Sequence, residues 1–268
     1  MTEYVIFSDI DGTFLDKRNY SPGKAIYTLL ACRERNIPVV FVSAKTRTEI
    51  EALLNELDYI TPFVCENGGG LFLPRDKFAQ PVAFDDYNNY WRYQSDITID
   101  ELHRALVRIG NSLDISIKGF LDMSDEDIAR LTGLDMNSAA RARKREYDEP
   151  FIIVSETEEK IQLVKSHIIM LGYSYTHGGG LHHIMGRFDK GRTLLMLKNI
   201  YLQANPKYKF IGIGDAYNDL PMLRITDYPF LVRKPNGSYE KDVLVDNLKI
   251  TAGIGPDGFT EAINSLVL

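Results

Sequence analysis

Apolar and polar positions along this chain fall into blocks that read alternately as strands and helices. Apolar runs at Tyr4 to Phe7, Val39 to Val42, Pro62 to Cys65, Phe210 to Ile213 and Phe230 to Val232 have the length and the β-branched and aromatic content of buried strands. Between them the spacing becomes that of helix faces: Ile26, Leu29 and Leu30, then Ile50, Leu53, Leu54 and Leu57, and later Leu194, Leu197 and Tyr201. Ser21-Pro22 predicts a helix start with an N-cap and a first-turn proline. Thr46-Arg47-Thr48-Glu49 predicts a capping box. Such alternation implies a doubly wound, Rossmann-like α/β core with a parallel sheet.

The rhythm breaks near Asp85. Trp91 and the tyrosines around it, a helix opening at Thr98-x-x-Glu101 and the polar stretch Arg141 to Glu149 do not continue it. Phe151 to Val154 reads as a strand, and Ile161, Val164, Ile168 and Leu171 as a helix face. The βα rhythm resumes after Lys190. The expected organisation is a split core, residues 1–85 and 187–268, with a separately folding α/β domain of residues 86–186 inserted in it.

With 268 residues and 44% hydrophobic content, the chain can bury a core of that size. A net charge of −6 argues against a nucleic-acid surface, which calls for an extended basic patch. The two cysteines, Cys32 and Cys65, lack the spacing of a zinc or redox motif and sit in apolar segments, so buried free thiols are expected. No apolar run approaches the ~20 residues of a membrane span. The expectation is a soluble cytoplasmic protein with no membrane or nucleic-acid partner and an open oligomeric state.

Chemistry enters where the first strand ends, at Asp9-Ile10-Asp11-Gly12-Thr13. In an open α/β sheet, ligands bind beyond the carboxyl ends of the strands, so Asp9 is placed to act as a nucleophile and Asp11 as an acid/base. Alone, the segment is also an ordinary turn, since Asp and Gly are common turn formers. Three further segments change the balance: Ser43 after the second strand, Lys190 in Phe188-Asp189-Lys190-Gly191, and Gly214-Asp215-Ala216-Tyr217-Asn218-Asp219 after Phe210 to Ile213. Consecutive carboxylates in the last segment repel one another unless a cation is present.

These four segments, in this order, resemble the motifs of the haloacid dehalogenase superfamily of phosphotransferases. The resemblance implies that Asp9 is phosphorylated, that Asp11 is the general acid/base, that Ser43 donates to a phosphoryl oxygen and that Lys190 holds the phosphoryl group against Asp9. It also implies Mg²⁺ held by Asp9, Asp215 and the Asp11 backbone carbonyl, with Asn218 and Asp219 supporting the site and Mn²⁺ or Co²⁺ as alternatives. The chemistry agrees: a carboxylate approaches a dianionic phosphate ester only when cations and donors neutralise the repulsion. An insertion between the second and third motifs is, in that superfamily, a C2-type cap that excludes water and chooses the substrate.

Beyond the four motifs the chain is similar to the mannosyl-3-phosphoglycerate phosphatase family. The carrying segments are Ser43-Ala44-Lys45-Thr46, Glu66-Asn67-Gly68-Gly69, Arg143 to Phe151, Val232 to Tyr239 and Gly253-Ile254-Gly255-Pro256. A substrate with a phosphate, a glyceryl carboxylate and a sugar calls for extra cations and hydroxyl partners. Arg141, Arg143 and Arg145 are candidates for the carboxylate, with Arg145 the first choice, and Glu66, Asn67 and Glu149 for hydroxyls. Lys45, Thr46, Gly68 and Gly179 complete the expected substrate contacts. Gly180 and Leu181 stand where the family commonly has an Arg and an aromatic, and His182 and His183 are the neighbouring groups to take over those contacts. The expected substrate is a glycosyl phosphoglycerate or other phosphorylated sugar. Alternatives are glucosyl-3-phosphoglycerate, sucrose phosphate or a hexose phosphate, and, outside enzymes, a phosphosugar sensor without turnover. Asp9, Asp11, Lys190 and Asp215 together weigh against the sensor.

Overall fold

The computed structural model describes residues 3–178 and 180–267. The chain begins β1 (Glu3–Ser8), α1 (Ala25–Glu34), β2 (Val39–Val42), α2 (Arg47–Glu56), β3 (Phe63–Cys65), β4 (Gly70–Pro74), β5 (Asp85–Tyr87) and β6 (Tyr90–Gln94). It continues with α3 (Ile99–Leu113), β7 (Ile117–Gly119), α4 (Asp125–Thr132), α5 (Met136–Ala142), β8 (Asp148–Ile153), α6 (Glu158–Met170), β9 (Ser174–Gly178) and β10 (Leu181–Met185). It returns through α7 (Lys190–Ala204), β11 (Tyr208–Gly214), α8 (Leu220–Arg224), β12 (Tyr228–Arg233), β13 (Lys249–Ile254) and α9 (Pro256–Asn264).

Among the described residues these strands form two sheets. The larger has the order β13-β12-β11-β1-β2-β3-β4-β6-β5. It is parallel from β13 to β3 and antiparallel from there to β5. β1 is apolar at successive positions because both its faces are covered. Ile6 faces a cluster with Leu29, Ile50 and Phe259 from α1, α2 and α9, while Val5 and Phe7 face Leu194, Leu197 and Leu223 from α7 and α8. The chain winds from β1 to β2 and β3 on one side and returns to β11, β12 and β13 on the other. The order therefore reverses at β1 and β11, and the carboxyl ends of those two strands form the switch point where such sheets bind ligands.

The smaller sheet, β7-β8-β10-β9, is antiparallel. It packs on α3 and α6 through Leu102, Ile109, Phe151, Val164, Ile168 and Ile184. The fold is thus an α/β core with a separate antiparallel sheet inserted.

Local expectations hold where the signal is local. Thr46 N-caps α2 by accepting from the Glu49 N–H at 3.2 Å, and the Glu49 carboxylate accepts from the Thr46 N–H at 2.9 Å. Thr98 N-caps α3 by accepting from the Glu101 N–H at 3.4 Å, without the return bond. Cys32 and Cys65 are free and buried. No helix among the described residues is long and apolar enough to cross a membrane.

Three details differ. α1 opens at Ala25, not at Pro22, because Ser21 Oγ accepts from the Gly23 N–H in a preceding turn; Leu30 lies on its exposed side. β6, with Trp91, pairs along the edge of β4, so the large sheet reaches Gln94, past the boundary expected at residues 85 and 86. β8 starts at Asp148, three residues before the apolar run, because two buried carboxylates lead it.

Candidate active site

Asp9 is the first residue beyond β1, and its N–H donates to the Ile213 carbonyl at 2.9 Å, fastening it to β11. Gly12 has φ +87°, and a Cβ there would lie 2.7 Å from Asp215 Oδ2, so only glycine lets this loop close on the loop after β11. Lys190, the first residue of α7, is fully buried and donates to Asp9 Oδ1 and Asp219 Oδ1, both at 2.6 Å. The other Asp219 oxygen accepts from the N–H groups of Asp215 and Ala216, each at 3.0 Å. Asp219 thus spends both oxygens bracing its loop and Lys190. Asp215 Oδ2 is buried with no partner. Asp9, Asp215 and Asp219 each bring a carboxylate oxygen within 4.8 Å of the others.

Three carboxylates and one ammonium leave this buried group short of positive charge. Burial and the charge of Asp219 push the Asp9 carboxyl well above its ordinary range, with Lys190 pulling the other way. Burial and Asp219 push Asp215 up to about 7. Burial alone would lower Lys190, but Asp219 and Asp9 outweigh it and raise it. A divalent cation with oxygen ligands meets this deficit, and the orphaned Asp215 Oδ2 is a ligand atom for it. The triad fits a divalent metal site.

A cleft of about 170 Å³ lies in front of Asp9. Asp11, Ser43, Lys45, Asp215 and Asn218 line it from the core, and Arg145, Leu181 and His183 from the inserted unit. Lys45 Nζ lies 3.0 Å from Asp11 Oδ2 and 3.4 Å from Glu49 Oε1, while Asp11 Oδ1 is buried without a partner. Arg145 donates to the Ala44 carbonyl at 2.6 Å, and its guanidinium lies 5.7 Å from the Phe120 ring centroid. A larger cavity, about 920 Å³, lies elsewhere, between Tyr59, Phe78 and Tyr201, and contains none of these acidic groups.

Seven expected substrate contacts do not line the cleft. Glu66 is fully buried and accepts from three successive N–H groups, of Glu146 at 3.0 and 3.1 Å, Tyr147 at 2.8 Å and Asp148 at 2.9 Å. Burial pushes its carboxyl up to about 8, with Arg145 and the Tyr147 N–H opposing. Asn67 donates to Asp148 at 2.6 Å. Gly68 has φ +109° against the Asp189 carbonyl, and its own carbonyl accepts from Thr193 at 2.7 Å. The Thr46 hydroxyl lies 3.0 Å from the Arg141 carbonyl. Arg143 pairs on the surface with Asp125 at 3.4 Å. Glu149 is buried against His103 at 2.9 Å, and burial pushes it up to about 7. These groups are occupied in joining elements. Gly179 lies outside the described residues.

Asp148 went unrecognised in the sequence. Burial alone would raise its carboxyl, but His183, Arg145 and Asn67 hold it below its ordinary value. Its one signal was an acidic residue just ahead of an apolar run.

The profile of haloacid dehalogenase-like hydrolases matches residues 6–240. The chain is 38% identical over 266 residues to a glucosyl-3-phosphoglycerate/mannosyl-3-phosphoglycerate phosphatase of Methanococcoides burtonii, covering 99% of this chain and 97% of that protein. It is 29% identical over 228 residues to a mannosyl-3-phosphoglycerate phosphatase of Pyrococcus horikoshii, covering 85% and 90%. Its fold is similar to that of a haloacid dehalogenase-like hydrolase from Bacteroides thetaiotaomicron, with a TM-score of 0.65 at 20% identity over 98% of this chain and 99% of that one.

Proposed function

Because the chain belongs to the haloacid dehalogenase-like hydrolases, in the branch with a C2-type cap, we propose that it hydrolyses the phosphate ester of mannosyl- and glucosyl-3-phosphoglycerate. One observation carries this reading: Asp9, Lys190 and Asp215 meet at the switch point, and the inserted unit adds Arg145 and His183 to the same cleft. Similarity along almost the whole chain to phosphatases named for those two esters supports the substrate. In this reading residues 1–85 and 187–268 are the catalytic core and 86–186 the cap, with the β5-β6 hairpin joined to the core by its hydrogen bonds.

Asp9 attacks the phosphorus, and the glycerate oxygen leaves with a proton from Asp11, giving an aspartyl phosphate. Asp11 then takes a proton from the water that attacks this phosphorus, which frees phosphate and restores Asp9. Asp11 Oδ1 is the oxygen free to hold that proton, since Oδ2 is engaged by Lys45. Lys190 keeps Asp9 aimed and offsets phosphoryl charge, and Ser43 donates to a phosphoryl oxygen. Asp9, Asp215 and the Asp11 carbonyl would hold one Mg²⁺, with Asn218 and Asp219 shaping the loop; Mn²⁺ and Co²⁺ are the alternatives. Bound there, the ion supplies the positive charge that the buried triad and the dianionic ester lack. Arg145 pairs with the glycerate carboxylate, and Lys45 and His183 complete the wall facing the leaving group.

A phosphate-release panel tests the reading. The two glycosyl-3-phosphoglycerates are expected to give the highest kcat/KM. Preference for sucrose phosphate or a hexose phosphate, which lack the carboxylate, would overturn the substrate assignment.

A further inference from the structure

A line of hydrogen bonds joins the two sheets, and no step above uses it. His183 on β10 turns Nδ1 toward Asp148 on β8, 2.8 and 3.0 Å from its two oxygens. Asn67 donates to Asp148 Oδ2 at 2.6 Å, and Asn218 donates to Asn67 Oδ1 at 3.0 Å. The line begins at one wall of the cleft, His183, and ends at another, Asn218 in the acidic loop. Its centre, Asp148, is fully buried, and its own N–H is bound by Glu66.

A buried carboxylate is costly unless every oxygen is paired, so this one fixes the geometry of whatever pairs with it. A carboxylate accepts only, so the His183 nitrogen that faces it carries a proton. Nε2 lies on the opposite side of the ring and makes no hydrogen bond to a described residue. A histidine held through one nitrogen by a carboxylate presents the other in a set direction.

On the glycosyl-3-phosphoglycerate reading, we propose that Asp148 is a positioning residue: it fixes the His183 ring so that Nε2 meets the oxygen-rich leaving group, and through Asn67 it ties that seating to Asn218 beside the acidic triad. The leaving group and the phosphoryl site are thereby aligned by one rigid connection rather than by two independent walls.

The test compares the wild-type protein, Asp148→Asn, His183→Ala and the double variant, on the glycosyl-3-phosphoglycerate turned over best and on p-nitrophenyl phosphate, with the Tm of each. Each single variant is expected to lower kcat/KM on the glycosyl ester about 10- to 100-fold, mainly through KM. The loss on the aryl ester is expected to be at least about fivefold smaller, because that leaving group offers Nε2 no matching oxygens. The double variant should match His183→Ala within about twofold, since one residue acts through the other. Losses that multiply in the double variant, or that fall equally on both esters, would overturn the proposal. Should Asp148→Asn fail to fold, His183→Ala and His183→Gln carry the test, and an unchanged KM in His183→Ala sinks it. A wild-type protein inactive on both glycosyl esters refutes the substrate reading alone. The same cycle on its best phosphosugar then decides the role of Asp148.

Discussion

Glu66 offers a sharp test, because its sequence motif points to a substrate contact and its geometry to a fastener. Replacing it with alanine strands the N–H groups of Tyr147 and Asp148, both buried, and that of Glu146, partly buried. Each buried donor left without an acceptor costs about 1–3 kcal/mol, so those two alone cost about 2–6 kcal/mol. At roughly 2–4 °C per kcal/mol for a domain approaching this size, Tm should fall by about 4–24 °C. Thermal unfolding by circular dichroism reads this directly, and kinetics well below the new Tm read substrate binding separately. Glu66→Gln keeps the volume and one acceptor oxygen, so its Tm should lie between alanine and wild type. A Glu66→Ala protein with Tm within about 2 °C of wild type and a raised KM would refute the fastening role and restore the hydroxyl contact.

Four further outcomes follow from the site. Asp9→Asn should fold, with Tm near wild type, and show no phosphate release; near-normal release would remove Asp9 as nucleophile. Chelating divalent cations should abolish turnover and Mg²⁺ should restore it, while Asp215→Asn should weaken Mg²⁺ binding in a calorimetric titration; full activity after chelation would contradict the metal site. Arg145→Ala should lower kcat/KM on the glycosyl esters about 10- to 200-fold, as expected for a lost charge-assisted pair of roughly 1.5–3 kcal/mol, and cost far less on p-nitrophenyl phosphate. Asp148 has a folded pKa below its unfolded value, so its contribution to stability is present above an unfolded value of about 3.9 and lost as pH falls through the folded one. The Tm gap between wild type and Asp148→Asn should therefore narrow as pH falls below about 4 and through the lowered folded value; a constant gap would show that the charge does not matter.

The core was legible because its signals are local. β1, β2, β3, β11 and β12 are continuous apolar runs, and the Thr46 to Glu49 box lies within one helical turn. The acidic groups could be placed in one site from sequence because they follow strands whose ends converge in any doubly wound sheet. Glu66 and the backbone of residues 146–148 are about eighty positions apart, so their pairing leaves no periodic trace. The same holds for Asn67 with Asn218, and for Asp148, which lies in the polar stretch Arg141 to Glu149 because the leading side chains of its strand are buried by pairing rather than by apolarity. β5 and β6 broke the βα rhythm and yet extend the core sheet, since antiparallel pairing along an edge needs no crossover helix.

Glu66 holds the inserted unit by its main chain alone. An attachment to N–H groups is indifferent to the side chains that follow them, so substitutions on the cap's inner wall leave this joint intact provided a strand still enters at residue 148. Catalysis and selectivity can then diverge on separate schedules: the acidic loops and Lys190 stay constrained by one another, while the cleft positions outside the line from His183 to Asn218 are free to change.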